Sequence, residues 1–334
     1  MKNSDEKCIK NNFKILFLND IFQAGFAMCF CIFLTIVLIN LYESVKSKNV
    51  FDEIQGFTGQ NFWGKSSLEH CDTKFDKLFM GQNADPKLKC YIYQLNLNFV
   101  KVEVLNIDPP LVKFPQFFSK TLVSKFLNET EKVKLGELLV KSSDGPDRNI
   151  HQQSRVANGT FLSHYFSDVT TFTFNYIQNR INALNFAKAE DFQVLNYKPG
   201  GHYAPHFDHL VRNYDLFSKG NRFATFMVIL KSADIGGGTI YPNIGITFQP
   251  KPGDAVVWLN MNTDYGRSEG SLHGACPVVK GVKVGLTLWV RSHGQELRWN
   301  CPLKKEDPFP LEPLIQPKWL KKDWPLRYGF PLFG

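Results

Sequence analysis

From Asp191 to Arg291 the chain breaks into short apolar runs punctuated by glycine and proline: DFQVLNY, HYAPHFDH, RFATFMVIL, GGTIYP, GITFQP, DAVVWLN, HGACPVV and VKVGLTLWV. Eight strand-like runs at such close spacing predict two packed sheets, a jelly roll, or a barrel. Upstream the rhythm is different. SKTLVSKFLNETEKVKLGELL spaces its apolar residues as helices do, with Ser or Thr available as a cap, and SDVTTFTFNYIQNRINALNF is a second helical candidate. The paired prolines of DPPLVKFP, Asp108 to Pro115, mark a boundary before them. The expected fold is an all-β core with flanking helices, a double-stranded β-helix (jelly roll), preceded by one transmembrane helix.

The transmembrane expectation rests on Ile21 to Leu41, about 21 residues with no charge, enough to cross a bilayer as a helix. The run is apolar all round, which a core helix with a solvated face would not be. No small-residue cleavage pattern follows it, so a retained signal-anchor is favoured over a cleaved signal peptide. Lys2, Lys7, Lys10 and Lys14 precede the run and only Lys46 and Lys48 follow closely. By the lysine bias the N-terminus is cytosolic and the remainder lumenal, a single-pass type II protein of the endoplasmic reticulum membrane, with the Golgi as the other compartment open to it. Asn128 and Asn158 begin glycosylation sequons that such a topology would make usable.

Beyond the span lie Cys71, Cys90, Cys276 and Cys301, an even number for an oxidising lumen. Three connectivities are possible, Cys71–Cys90 with Cys276–Cys301 being the most local. The formal charge of +8 comes from scattered lysines, and no basic run alternates with aromatics. Nucleic acid is therefore not expected as a partner.

The chemistry concentrates in LNYKPGGHYAPHFDHL, Leu195 to Leu210. Residues two apart on a strand point to one face, so His206 and Asp208 could aim a nitrogen and an oxygen at one point. Two histidines and one carboxylate on a common face are the ligand set of non-haem iron(II) oxygenases. His-x-Asp alone is weak evidence, since His70-Cys71-Asp72 repeats it outside any strand pattern. The third ligand is sought downstream, where His273 enters a strand. On the next strand Lys283, Gly285, Thr287, Trp289 and Arg291 share a face. An inward lysine needs a carboxylate partner, which a dicarboxylate cosubstrate would supply; an outward, solvated lysine is the alternative that periodicity leaves open.

Six blocks in one order, QVLNYKPGGHYAPHFD, NRFATFMVIL, GGGTIYP, PKPGDAVVWLN, HGACPVVKGVK and HGQELRWNC, resemble the catalytic domain of the prolyl 4-hydroxylases, iron- and 2-oxoglutarate-dependent dioxygenases. The resemblance runs from about Asp108 to Cys301. It implies His206, Asp208 and His273 as iron ligands and Lys283 as the partner of the distal carboxylate of 2-oxoglutarate, with Tyr197 nearby. It also implies the disulfide Cys276–Cys301, with Cys71–Cys90 as a second pair. The implied activity is hydroxylation of peptidyl proline with O2 and 2-oxoglutarate, releasing succinate and CO2, with iron(II) and L-ascorbate as cofactors. A proline-containing peptide or protein is the implied substrate, and protein disulfide isomerase a partner that the resemblance leaves open. Two positions depart from the pattern. Arg291 stands where the family has a histidine assisting 2-oxoglutarate and is expected to face the cavity and pair with a carboxylate of that cosubstrate. Phe161, following Arg155, stands where the family has a substrate-side tryptophan. The expected organisation is a cytosolic tail (1–20), a signal-anchor (21–41), a lumenal stem (42–108), the dioxygenase domain (109–301) and a proline-rich tail (302–334).

Overall fold

The computed structural model of the protein describes residues 28, 30–41, 56–71, 88, 90–95, 98–138, 140–141, 149–150, 153–211, 216–296, 298–299, 304 and 307–315. The chain divides into two compact units, Met1–Gln55 and Gly56–Gly334. In the first, residues 30–41 are helical and exposed. Among the described residues no helix is long and apolar enough to cross a membrane. Residues 21–27 and 29 of the expected span lie outside the described residues, as do the cytosolic tail and most of the proline-rich one.

The second unit is mostly β-sheet with a few helices. Its strands in chain order begin with β1 (Cys90–Leu95), β2 (Asn98–Asn106), β3 (Leu111–Phe114), β4 (Gly136–Glu137), β5 (Val140–Lys141) and β6 (Asn149–Ile150). Next come β7 (Arg155–Val156), β8 (Asn158–Leu162), β9 (Phe192–Tyr197), β10 (His202–His206), β11 (Arg222–Lys231) and β12 (Ile235–Gly236). The last six are β13 (Thr239–Tyr241), β14 (Ile246–Phe248), β15 (Ala255–Leu259), β16 (His273–Ala275), β17 (Val278–Lys280) and β18 (Lys283–Arg291). Nine strands form a large antiparallel sheet in the order β1-β2-β3-β15-β11-β18-β9-β8-β4. Five form a smaller sheet in the order β14-β13-β16-β10-β7. The two sheets are consistent with a jelly-roll core.

Strand periodicity explains how one sheet serves two purposes. On β18, Val284, Leu286, Leu288 and Val290 enter the main apolar cluster, while Lys283, Gly285, Thr287 and Trp289 line a cavity facing the small sheet. On β15, Ala255, Val257 and Leu259 join the same cluster, and Val256 and Trp258 pack on Tyr241 and Ile246 of the small sheet. Burial on both faces makes these strands read as continuous apolar runs.

The helices cover the outer face. Lys120–Glu131 (α2, after the short α1, Lys65–Glu69) is capped by Ser119, whose hydroxyl accepts from Leu122 N. Asp168–Arg180 (α3) starts with a reciprocal capping box between Ser167 and Thr170. Both helices stop well short of the apolar spacing that predicts them, α2 giving way to β4 at Gly136.

The expected stem is not separate. Residues 56–71 lie in the same unit, packing Trp63 and Cys71 on Ala204, Ile240 and Cys276, and β1 and β2 extend the large sheet beyond β3. The cysteine pairing also differs from expectation: Cys71 bonds to Cys276 across 205 residues, with Cα atoms 5.6 Å apart. Cys90 is free and exposed, and Cys301 lies outside the described residues. Proximity in sequence misleads here because 56–71 folds across the back of the small sheet and delivers Cys71 to the end of β16.

Candidate active site

β10 and β16 bring two histidines together. Their register pairs Tyr203 with Ala275 and His206 with His273, with an irregularity between them where Pro205 stands. Pro205 has no N–H to offer a ladder, so the strand bulges there. Close approach is possible because residue 274 is glycine: a Cβ there would lie 3.1 Å from Tyr203 O and 3.2 Å from Pro205 N. The bulge puts Tyr203 and His206 on the same side, their rings stacked 3.5 Å apart.

Asp208 follows β10 and completes the set. Its Oδ1 is 3.8 Å from His206 Nε2 and its Oδ2 3.6 Å from His273 Nε2. One ligand atom from each of the three lies within 4.8 Å of the others, and this is the one such cluster among the described residues. Of the decoy His70-Cys71-Asp72, Cys71 is in the disulfide and Asp72 lies outside the described residues.

The surroundings prepare these groups as ligands. His206 Nδ1 is 2.9 Å from Ala204 O, and His273 Nδ1 is 2.8 Å from Ser271 O. A carbonyl only accepts, so each Nδ1 carries the proton and each Nε2 lone pair is free to bind a metal. Burial, and then the neighbouring His273, depresses His206 to about 3, so its imidazole is neutral at physiological pH. Burial alone would raise the Asp208 pKa. His273, His206, Arg222 and the Thr225 hydroxyl outweigh it and hold the carboxyl below its ordinary value. Thr225 Oγ1 donates to Asp208 Oδ2 at 2.7 Å and accepts from Asn260 Nδ2 at 2.8 Å, which fixes the carboxylate in place. Two imidazoles whose Nε2 atoms face one ionised carboxylate, open to a cavity on one side, fit iron(II).

Lys283 lies further into the same cavity. It opens β18 opposite Tyr197 of β9, is 4% exposed, and places Nζ 3.2 Å from Thr239 Oγ1 and 3.4 Å from Gly238 O. The Tyr197 ring centroid is 5.8 Å from Nζ. Among the described residues no carboxylate pairs with Lys283, and burial brings its pKa down from 10.5 to about 7. The inward reading of Lys283 therefore holds, and Tyr197 lines the cavity beside it.

Arg291 is placed differently from expectation. It is buried but is not among the cavity-lining side chains. Its Nη1 donates to Gly220 O at 2.8 Å, and its Nε is 2.9 Å from Glu190 Oε1. The pairing of β18 with β11 slips between Arg222 and Ala224, leaving Arg291 opposite Arg222. Two guanidiniums face to face need an anion between them, and Glu190 provides it, accepting two 2.8 Å hydrogen bonds from Arg222. Arg222 in turn lies 3.5 Å over the Trp289 ring. Phe161 is half exposed on β8, and the Arg155 side chain donates to Leu138 O. Asn128 and Asn158 are both exposed.

Several site residues escape sequence reasoning. Thr225 and Thr239 look like ordinary strand residues, and Glu190 lies before the strand region. His202, buried among aromatic rings, is held by Trp63 rather than joining the metal set. Its signal is its proximity to His206, which points to the wrong role.

The fold and this site define a class, and comparison with known proteins agrees: the model of the 2OG-Fe(II) oxygenase superfamily matches residues 192–291, from β9 to the end of β18. The chain carries an oxygenase domain of the kind found in prolyl 4-hydroxylase alpha subunits. It is 32% identical to prolyl 4-hydroxylase subunit alpha-2 of Caenorhabditis elegans over 228 residues, 66% of this chain and 42% of that one. It is 33% identical to subunit alpha-1 of Gallus gallus over 239 residues, 68% of this chain and 46% of that one. The chain thus spans less than half the length of these relatives. Among solved structures, the viral collagen prolyl hydroxylase of Paramecium Bursaria Chlorella virus-1, in its 2OG complex, is 23% identical. That match covers 54% of this chain and 95% of the other, with a TM-score of 0.43.

Proposed function

We propose that the protein is a prolyl 4-hydroxylase acting on peptidyl proline in proteins of the secretory pathway, collagen-like chains among them. The observation that carries this reading is the placement of His206, Asp208, His273 and Lys283 around one cavity between the two sheets. The similarity to prolyl 4-hydroxylase alpha subunits supports it.

Iron(II) held by the three ligands would couple oxidative decarboxylation of 2-oxoglutarate by O2, to succinate and CO2, to hydroxylation of a substrate carbon, one oxygen atom of O2 going to succinate and the other to the substrate, with ascorbate keeping the metal reduced. The chain's own groups do the rest. Backbone carbonyls of Ala204 and Ser271 hold both imidazoles in the Nδ1–H form, and Thr225 fixes the carboxylate. Lys283, steadied by Thr239, gives the distal carboxylate of the cosubstrate a charged partner in a poorly solvated pocket, where such a pair is strong. Trp289, braced from behind by Arg222, provides an aromatic wall.

The location proposed is the endoplasmic reticulum membrane, with the catalytic unit in the lumen. The charge-free run Ile21–Leu41, the lysine bias before it, the disulfide and the two exposed sequons support that reading. Both relatives are named as subunits, which supports a partner subunit. The disulfide isomerase that the family resemblance leaves open is to be tested by co-purification from those membranes. The deciding experiment is mass spectrometry of proline-rich peptides incubated with the protein, iron(II), 2-oxoglutarate and ascorbate. A 16-Da gain on proline with matching succinate supports the reading. Succinate release coupled to a different residue would give the same chemistry another peptide substrate. Absence of both would make the protein a binding module.

A further inference from the structure

β10 is weakly held within its own sheet. On one side it pairs with the two-residue β7, and on the other its register with β16 is interrupted at Pro205. A strand carrying a metal ligand needs firmer support than two short ladders give. The segment 56–71 lies behind it. Trp63 Nε1 donates to His202 Nδ1 at 3.0 Å, and His202 Nε2 is 2.8 Å from Thr58 O. The indole only donates and the carbonyl only accepts, so His202 is neutral with its proton on Nε2. The ring is fully buried and saturated with hydrogen bonds, leaving it no capacity to bind a metal.

The same segment reaches the rest of the small sheet. Trp63 and Cys71 share an apolar cluster with Ala204 of β10, Ile240 of β13 and Cys276. His70 O accepts from Thr247 Oγ1 of β14 at 2.8 Å. Cys71 is bonded to Cys276, three residues beyond His273. Backbone contact is close as well: Gly59 has φ 85, and a Cβ there would run into Gln153 O.

We infer that residues 56–71 are a brace for the metal site, holding β10 through His202 and β16 through Cys276, and so setting the spacing of His206 and His273 from behind. Trp63 and His202 are positioning residues; neither touches a ligand atom of the metal. The inference rests on the metal reading of His206, Asp208 and His273, and its test separates the two.

The experiment is Co(II) titration of the metal-free full-length chain, following both affinity and the cobalt absorption bands, with thermal unfolding of each metal-free variant alongside. Trp63→Phe keeps the ring and deletes the donor. His202→Ala deletes the acceptor, His202→Gln restores an amide donor and acceptor, and a Cys71→Ser/Cys276→Ser double variant cuts the covalent tie. Leu122→Ala, in the helix layer, supplies a control of comparable thermal cost. The expected result is Co(II) affinity about 10-fold weaker in Trp63→Phe, His202→Ala and the double variant, with shifted bands. His202→Gln should recover part of the loss, and Leu122→Ala should bind as the unmodified chain does. Unchanged affinity and bands in all brace variants would overturn the inference, as would an equal loss in Leu122→Ala. Failure of the unmodified chain to bind Co(II) would overturn the metal reading and the brace together.

Discussion

His206 and His273 are direct cross-strand partners, their ring centroids 4.3 Å apart, with the Asp208 carboxylate within 4 Å of both Nε2 atoms. The pair is held by a bulge and a glycine rather than by regular pleating, so small changes at the ligands have large effects. Asp208→Asn should lower iron(II) affinity and succinate production by at least about 100-fold, the cost of a ligand charge that two imidazoles cannot replace. Metal titration and succinate assay check this; near-normal binding would remove Asp208 from the set.

Thr225 joins Asp208 to Asn260. Thr225→Val keeps the shape and removes the hydroxyl, leaving Asn260 Nδ2 without that acceptor. Stability should fall by about 1–3 kcal/mol, and metal affinity by about 10-fold. Denaturant unfolding and metal titration on the same protein measure both.

Lys283→Ala should raise the KM for 2-oxoglutarate by one to three orders of magnitude, on the order of 1.5–4 kcal/mol, while metal binding persists. Initial rates against 2-oxoglutarate concentration decide it, and an unchanged KM would sink the assignment.

The same lysine sets a pH dependence. Because burial brings Lys283 to about 7, the free enzyme presents an ammonium to the dicarboxylate below that pH and a neutral amine above it. Affinity for 2-oxoglutarate should be flat below about 7 and fall up to tenfold per pH unit above it. Binding above pH 7 should take up a proton, which calorimetry in two buffers detects. For stability the sign is opposite. Between about 7 and the ordinary 10.5 the unfolded chain holds a proton that the folded one does not, so this group's contribution rises with pH over that window. Lys283→Met should flatten that rise in unfolding free energy.

Arg291 engages Glu190 and Gly220 outside the cavity wall. Arg291→His should leave the KM for 2-oxoglutarate within about twofold and lower thermal stability, since a buried anion loses one of its cations. A large KM change would return Arg291 to the cosubstrate site.

What was legible depended on range. The alternation along β18 separates Val284, Leu286 and Leu288 from Lys283, Gly285 and Thr287 within nine residues, so the two faces could be read locally, while which of them turned inward at Lys283 was left to the fold. His206 and Asp208 are close in sequence, and His273 enters a strand. The failures are long-range. Nothing near Cys71 indicates that its partner is 205 residues away, because the extra closure cost, about 2 kcal/mol relative to a 19-residue loop, is set against packing that only the fold reveals. Arg291 shares the parity of Lys283 but, at the end of β18 opposite Arg222, meets Glu190 beyond the residues that line the cavity. His202 resembles a ligand by neighbourhood, and only the fold shows Trp63 behind it.

The Cys71–Cys276 bond also has a meaning in the order of biosynthesis. Cys71 emerges from the ribosome 205 residues before its partner, a delay of roughly 10–40 s at ordinary synthesis rates of 5–20 residues per second. Cys90 arrives only 19 residues later, within about 1–4 s at the same rates. In the lumenal location proposed above, the chain would meet the wrong thiol long before the right one. Any early Cys71–Cys90 bond must be exchanged before the brace can close behind His206 and His273, and thiolate attack on a disulfide is the step that allows it. In that location the nascent protein would be a client of thiol–disulfide exchange before its catalytic unit could close.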